Sequence, residues 1–129
     1  MKHRPKQPQG QRQLRVGEEI RHVVSMTLQH GGFADAALMN SSLITCTQVK
    51  ISPDLKNATV FVMPLGGHNT GSIFEALNAQ AHYFQKEIAR NMKMKFTPRL
   101  IFKGDETFQE AEKIDRILRK INVEEPDEG

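Results

Sequence analysis

The chain has 129 residues and one cysteine, Cys46, enough for a single domain with a core that needs no disulfides and suited to a reducing compartment. Its longest apolar runs fall far short of the ~18 residues of a membrane span, which excludes a spanning helix. The net charge of +3 conceals an asymmetry: residues 1–103 hold 14 Lys/Arg against 6 Asp/Glu, a net of +8, and residues 104–129 hold 4 against 9, a net of −5. A basic body with an acidic end suits a polyanionic partner, and equally a solvated surface with a solubilising tail.

Residues 1–10 are polar, with Pro5, Pro8 and Gly10, and predict a disordered basic tail. The opening MKHRPKQPQGQRQ has charge with no apolar stretch after it, unlike a secretory signal. From Gln11 to about Gln29, Val16, Ile20, Val23, Val24 and Leu28 form one apolar helical stripe, with Arg12, Arg15 and Arg21 off it. Gly31-Gly32 ends that helix. Residues 32–42 predict a loop with a turn around Ala34–Leu38.

A first strand is predicted at Leu43–Ile51, with Leu43, Thr45, Thr47, Val49 and Ile51 on one face. SPDL is a turn, in which Asp54 can bond the backbone ahead of it. The second strand is Asn57–Met63, with Ala58, Val60 and Val62 on one face and Thr59, Phe61 and Met63 on the other. Ser72 and Glu75 have capping-box spacing and predict a helix start. Ile73, Leu77, Ala81, Phe84, Ile88 and Met92 mark its core face, and Thr97-Pro98 stops it. Arg99–Lys103 predicts a third strand. A last helix over 106–121 would turn Phe108, Ala111, Ile114, Leu118 and Ile121 inward, before an acidic, disordered tail over 122–129. The order predicts an α+β domain whose sheet has helices on one face and water on the other.

No catalytic constellation emerges. Gly66, Gly67 and Gly71 fit no phosphate or dinucleotide fingerprint, and no histidine has metal-ligand spacing with another or with Cys46. Cys46 itself reads as a small strand residue. The sequence therefore predicts a non-enzyme with no cofactor and no metal. The basic residues say more. Lys86, Arg90 and Lys93 are four and three apart and would line one side of the helix, and Lys95 and Arg99 continue the charge. Cations on a rigid element suit phosphate contacts, although such residues also serve simply to solvate a helix. Aromatic stacking is poorly supplied, with Tyr83 and Phe84 placed mid-helix. A second class of function stays open at this point: a protein-interaction module that docks a partner through the hairpin edge or an amphipathic helix.

The stretches ITCTQVKISPDLKNATVFVMPLG, ALNAQAHYFQKEIARNMKMKFTPRLIF and DETFQEAEKID, with Arg15, Val16 and Ile20 before them, resemble the ribosome-binding factor A family over roughly residues 12–121. The resemblance implies a type II KH-like domain at 11–121: helix, two strands, a kinked helix, a strand and a C-terminal helix. It also implies a cytoplasmic factor with no membrane association, acting as a monomer on the immature small (30S) ribosomal subunit. Its 16S rRNA would be the RNA bound, with late maturation and processing of that RNA as the task, without enzymatic activity or cofactor. The binding surface would lie on the basic helix and its bend: Lys86, Arg90, Lys93, Lys95 and Arg99, the bend at Gln80, Ala81 and His82, and Arg12 and Arg15 on the first helix. Many members carry Ala-x-Gly at the bend, whereas this chain reads Gln80-Ala81-His82. Without the glycine, the kink is expected to be weaker or displaced. His82 could offer a ring for stacking, or be an ordinary exposed helix histidine.

Overall fold

The computed structural model of the chain describes residues 10–65, 70–105, 114 and 116–119. Of the tails expected at 1–10 and 122–129, all but Gly10, which caps the start of α1, lie outside the described residues. The described elements are α1 (Gln11–His30), β1 (Ile44–Ile51), β2 (Asn57–Pro64), α2 (Thr70–Ala79), α3 (Ala81–Asn91) and β3 (Arg99–Gly104). The strands form one sheet in the order β1-β2-β3, with β2 antiparallel to β1 and parallel to β3.

The helices cover one face of this sheet, as the apolar patterning demands. Ile20, Val24 and Leu28 of α1, Leu77 of α2, and Phe84 and Ile88 of α3 are buried against Val60 and Val62 of β2 and Phe102 of β3. Phe84 anchors the centre, its ring 4.9 Å from that of Phe102 and 5.6 Å from that of Phe33. Removing such side chains from water is the main drive for the fold, at roughly 1.5–3 kcal/mol each. Gly17 allows α1 to approach the sheet: a Cβ there would stand 2.7 Å from the Val49 carbonyl oxygen. Gln13 Nε2 donates to the Ile51 carbonyl at 2.7 Å, so α1 also satisfies the outward edge of β1. Gly31 and Gly32 end α1 with φ of 71° and 84°, the left-handed region that L side chains avoid.

The structure corrects five expectations. Leu43 lies in a short 3-10 turn, 47% exposed, and β1 starts at Ile44. A bulge between Cys46 and Gln48 then shifts the register, so Ile44 and Cys46 face the core with Val49 and Ile51, while Thr45 does not. One extra residue reverses the alternation, which strict period-2 counting cannot see. The second helix begins by Thr70, which puts Ser72 and Glu75 inside its first turns instead of at its cap. It then breaks at Gln80, and α3 stops at Asn91, well before Thr97-Pro98. Finally, Ile114 and Leu118 are 54% and 53% exposed and do not turn inward. Three helices already cover the inner face of the sheet, and these two side chains lie outside the core they form. The described part of that segment, Ile114 and 116–119, is helical as expected. Phe108, Ala111 and Ile121 lie outside the described residues.

The break at Gln80 needs no glycine. Its φ of −96° and ψ of 12° lie in the bridge region, open to any residue. Its N–H is shared between the carbonyls of Ala76 and Leu77, and its own carbonyl accepts from the N–H groups of Tyr83 and Phe84. The kink is thus kept where the resemblance places it, by a backbone conformation with negative φ.

Candidate nucleic-acid interface

The hairpin turn gathers several elements at one end of the domain. Within it, Ser52 N–H donates to the Asn57 carbonyl, and Asp54 accepts from the Ser52 hydroxyl and the Lys56 N–H. These bonds, the hydroxyl first, hold the Asp54 carboxyl below its usual range. Arg99 N–H donates to the Lys56 carbonyl at 2.8 Å, which brings the start of β3 to the turn. The Gln13 bond to Ile51 brings the start of α1 to the same end.

The helices α1 and α3 run antiparallel: one groove between them has His30 and Tyr83 at one end, and Glu18 and Met92 at the other. The C-terminus of α3 therefore points toward the turn. Lys93 and Lys95 lie in the connection that leads from α3 to Arg99, and Arg12 and Arg15 lie in the first turns of α1, on either side of Gln13. Lys50 and Lys56 border the turn itself. All of these side chains are exposed. An exposed end with this concentration of cations is suited to a run of phosphates.

The residues named from the sequence separate into groups. His82, Lys86 and Arg90 follow one another four apart along the exposed side of α3. Lys93 is not on the helix as expected, because Met92 has extended angles and Asn91 Nδ2 donates back to the Glu87 carbonyl. Arg90 donates to Glu87 at 3.0 Å, which offsets part of its charge. Arg99 alternates with the buried Leu100 and so lies on the open face of the sheet, away from α3. Gln80 and Ala81 are half-buried and shape the bend, and His82 is exposed. Arg21, beside Arg12 and Arg15 on α1, is occupied by Glu18, whose carboxyl this bond holds low.

Phe96 escaped sequence reasoning. It is 72% exposed in the middle of the basic connection, with Lys95 Nζ 5.7 Å from its ring centroid. The available signal was an aromatic between two lysines and Thr97-Pro98, which reads equally well as the apolar lead into a strand. Two adjoining hollows between α1 and α3 are less suitable nucleic-acid sites: one of about 500 Å3 has Glu87 beside Arg90, and one of about 470 Å3 has Glu18 and Glu19 beside Arg21. Cys46 is a core residue, and burial pushes its thiol up to about 12, which makes it inert. Among the described residues no group of three His, Cys, Asp or Glu could hold a metal, and no helix is long and apolar enough to cross a membrane.

Of the surfaces that a protein-docking module would use, those of α1 and the hairpin edge are partly engaged within the domain, while Ile114 and Leu118 of the last helical segment are exposed. The apolar stripe of α1 is in the core, Gln13 of α1 donates to the Ile51 carbonyl of β1, and Gly17 packs close to the Val49 carbonyl.

The model of one family, ribosome-binding factor A, matches residues 12–118. The chain belongs to the ribosome-binding factor A family. A ribosome-binding factor A from Rhodopseudomonas palustris (strain BisB18) is 48% identical over 114 residues, covering 88% of this chain and 82% of the relative. That of Afipia carboxidovorans is 49% identical over 114 residues, covering 88% and 80%. Among solved structures, the crystal structure of ribosome-binding factor A from Thermus thermophilus superposes with a TM-score of 0.60 at 21% identity, over 71% of this chain and 94% of that one. The solution structure of a Thermotoga maritima protein gives 0.62 at 23% identity, over 78% and 93%. A third match, with a TM-score of 0.54 and 20% identity over 67% and 88%, is a homology model of the Thermus thermophilus factor fitted into a cryo-electron microscopy map of its complex with the 30S subunit. The fold is thus the α+β, KH-like fold of ribosome-binding factor A.

Proposed function

We propose that this chain is a ribosome assembly factor that binds the immature 30S subunit through its 16S rRNA and assists the late maturation and processing of that RNA. It acts in the cytoplasm, as a monomer, by binding and without catalysis. The observation that supports this reading is the set of exposed cations Arg12, Arg15, Lys93, Lys95 and Arg99, on segments that lead into or start beside the hairpin turn, in a chain of this family. The Thermus thermophilus relative fitted with the 30S subunit supports the choice of partner.

Sedimentation of a cell extract at low salt tests the reading. The chain should travel with free small subunits and be depleted from intact ribosomes, and cells lacking it should accumulate 16S rRNA with unprocessed ends. Recovery of the chain only from the soluble top fractions would overturn it.

A further inference from the structure

The face of the sheet turned away from the helices carries a second pattern. The strand register arranges its outward side chains in rows: Lys50, Thr59 and Ile101 in one, and Gln48, Phe61 and Lys103 in the next. Arg99 stands one row beyond, paired with Asn57. A solvated sheet face is ordinarily polar. Here Phe61 sits half-exposed on the central strand, with Lys50 Nζ 5.8 Å from its ring centroid, and Ile101 beside it is 48% exposed.

The charges on these rows have one sign. Lys50, Lys103 and Arg99 are exposed on the two outer strands, and the rows hold no acid. Asp105 follows β3 at one corner, where it accepts a 2.6 Å hydrogen bond from the Thr47 hydroxyl. An aromatic ring at the centre of a sheet, with cations to either side, matches the requirements of an unpaired nucleotide strand: a flat surface for a base and positive charge for the phosphates on its flanks. Among the described residues, Asp105 at the corner is the acid beside these rows, and the charge on the rows themselves favours a polyanion.

We propose that this open face is a second nucleic-acid contact, on which an unpaired base stacks on Phe61 while Lys50, Lys103 and Arg99 hold the flanking phosphates. Lys50 and Arg99 also border the turn end, so a strand held there would continue onto the open face, on the side of the domain opposite the α3 stripe. The inference rests on the reading that the partner is RNA, and it assigns to that partner a surface that the basic helix does not include.

The test uses the full chain and an unstructured single-stranded RNA of about twelve nucleotides, titrated at two salt concentrations. Phe61→Leu keeps an apolar side chain and removes the ring. It should weaken binding by about five- to hundred-fold with little change in salt dependence, since one stacked base is lost and no phosphate contact. Lys50→Glu with Lys103→Glu should weaken binding and lower the slope of log affinity against log salt by about 1.4, at about 0.7 per phosphate contact on a single strand. Circular dichroism serves as the folding control. Wild-type affinity and slope in both variants would overturn the proposal. Loss of small-subunit co-sedimentation with unchanged oligonucleotide binding would overturn it too, by assigning the face to a protein. In either case a loss of oligonucleotide binding on Lys93→Glu with Lys95→Glu would leave the assembly-factor reading standing, so the two failures are distinguishable.

Discussion

The side-chain amide of Asn78 pairs with both main-chain groups of Phe102: Phe102 N–H donates to Asn78 Oδ1 at 2.8 Å, and Asn78 Nδ2 donates to the Phe102 carbonyl at 3.1 Å. Asn78 Nδ2 also reaches the Phe74 carbonyl of its own helix at 3.1 Å. One side chain thus substitutes for a neighbouring strand at the outer edge of β3, which would otherwise present unpaired polar groups. Replacing Asn78 by Leu should cost about 1–3 kcal/mol, read as a lower midpoint of chemical denaturation. Asn78→Asp keeps the acceptor and loses the donor, and it sets a carboxylate against the Phe102 carbonyl. Its stability deficit at neutral pH should shrink as pH falls and the new carboxyl gains a proton. A deficit independent of pH would show that the pairing is not what holds the edge.

Two glycines in helices should respond in opposite directions to Ala. At Gly17 the added methyl meets the Val49 carbonyl oxygen at 2.7 Å, so α1 must move off the sheet, and Gly17→Ala should lower stability by about 1–3 kcal/mol. At Gly71, near the start of α2, nothing lies within 4 Å of the added methyl. Gly71→Ala should raise stability by up to about 1 kcal/mol through helix propensity. Thermal melts of the two variants, side by side, check both signs.

Cys46 should act as a reporter of unfolding. Buried at 3% exposure with its thiol pushed up to about 12, it should resist iodoacetamide near pH 8 until denaturant unfolds the chain. The sign of the pH effect follows. The folded thiol keeps its proton, while the unfolded one loses it above about 8.5. The unfolded state then binds fewer protons, so stability declines as pH rises from about 8.5 toward 12. Between about pH 8.5 and 10 this group alone should account for about 1–2 kcal/mol of that decline. Cys46→Ala should show a shallower loss over the same range, measured by denaturation midpoints.

Charge reversal should have its largest effect at the turn end of the domain. Lys93→Glu with Lys95→Glu should weaken RNA binding more than Arg90→Glu, because Arg90 already shares its charge with Glu87. On duplex segments the double reversal should lower the salt slope by about 1.8, at about 0.9 per phosphate. A larger loss for Arg90→Glu would move the centre of the surface back onto α3.

The ring of Phe96 should matter to binding and not to folding. It is 72% exposed, so Phe96→Ala should change stability by less than about 0.5 kcal/mol. If it stacks on a base between Lys93, Lys95 and Arg99, the same change should weaken RNA binding by about 1–3 kcal/mol. Unchanged RNA affinity would limit the interface to the cations.

The sequence by itself determined the elements whose cause is local. The stripe of Ile20, Val24 and Leu28 made α1 helical and chose its buried side, and the alternation of Ala58, Val60 and Val62 did the same for β2. The family, too, was legible, because its hairpin and its Thr97-Pro98 segment are contiguous runs. Tertiary structure alone decided what depends on residues distant in the chain. The bulge at Thr47 appears only when β1 is paired with β2, and it moved Cys46 rather than Thr45 into the core. The end of α3 at Asn91 follows from where β3 must start, since Gln85 holds the Pro98 carbonyl at 2.8 Å and Arg99 must reach Lys56. That early stop took Lys93 off the helix, and the parity of β3 put Arg99 on the open face. Periodicity predicts which side of its own element a residue occupies; which other residues share that side is set by strand register and helix crossing, and these are fixed only when the core closes.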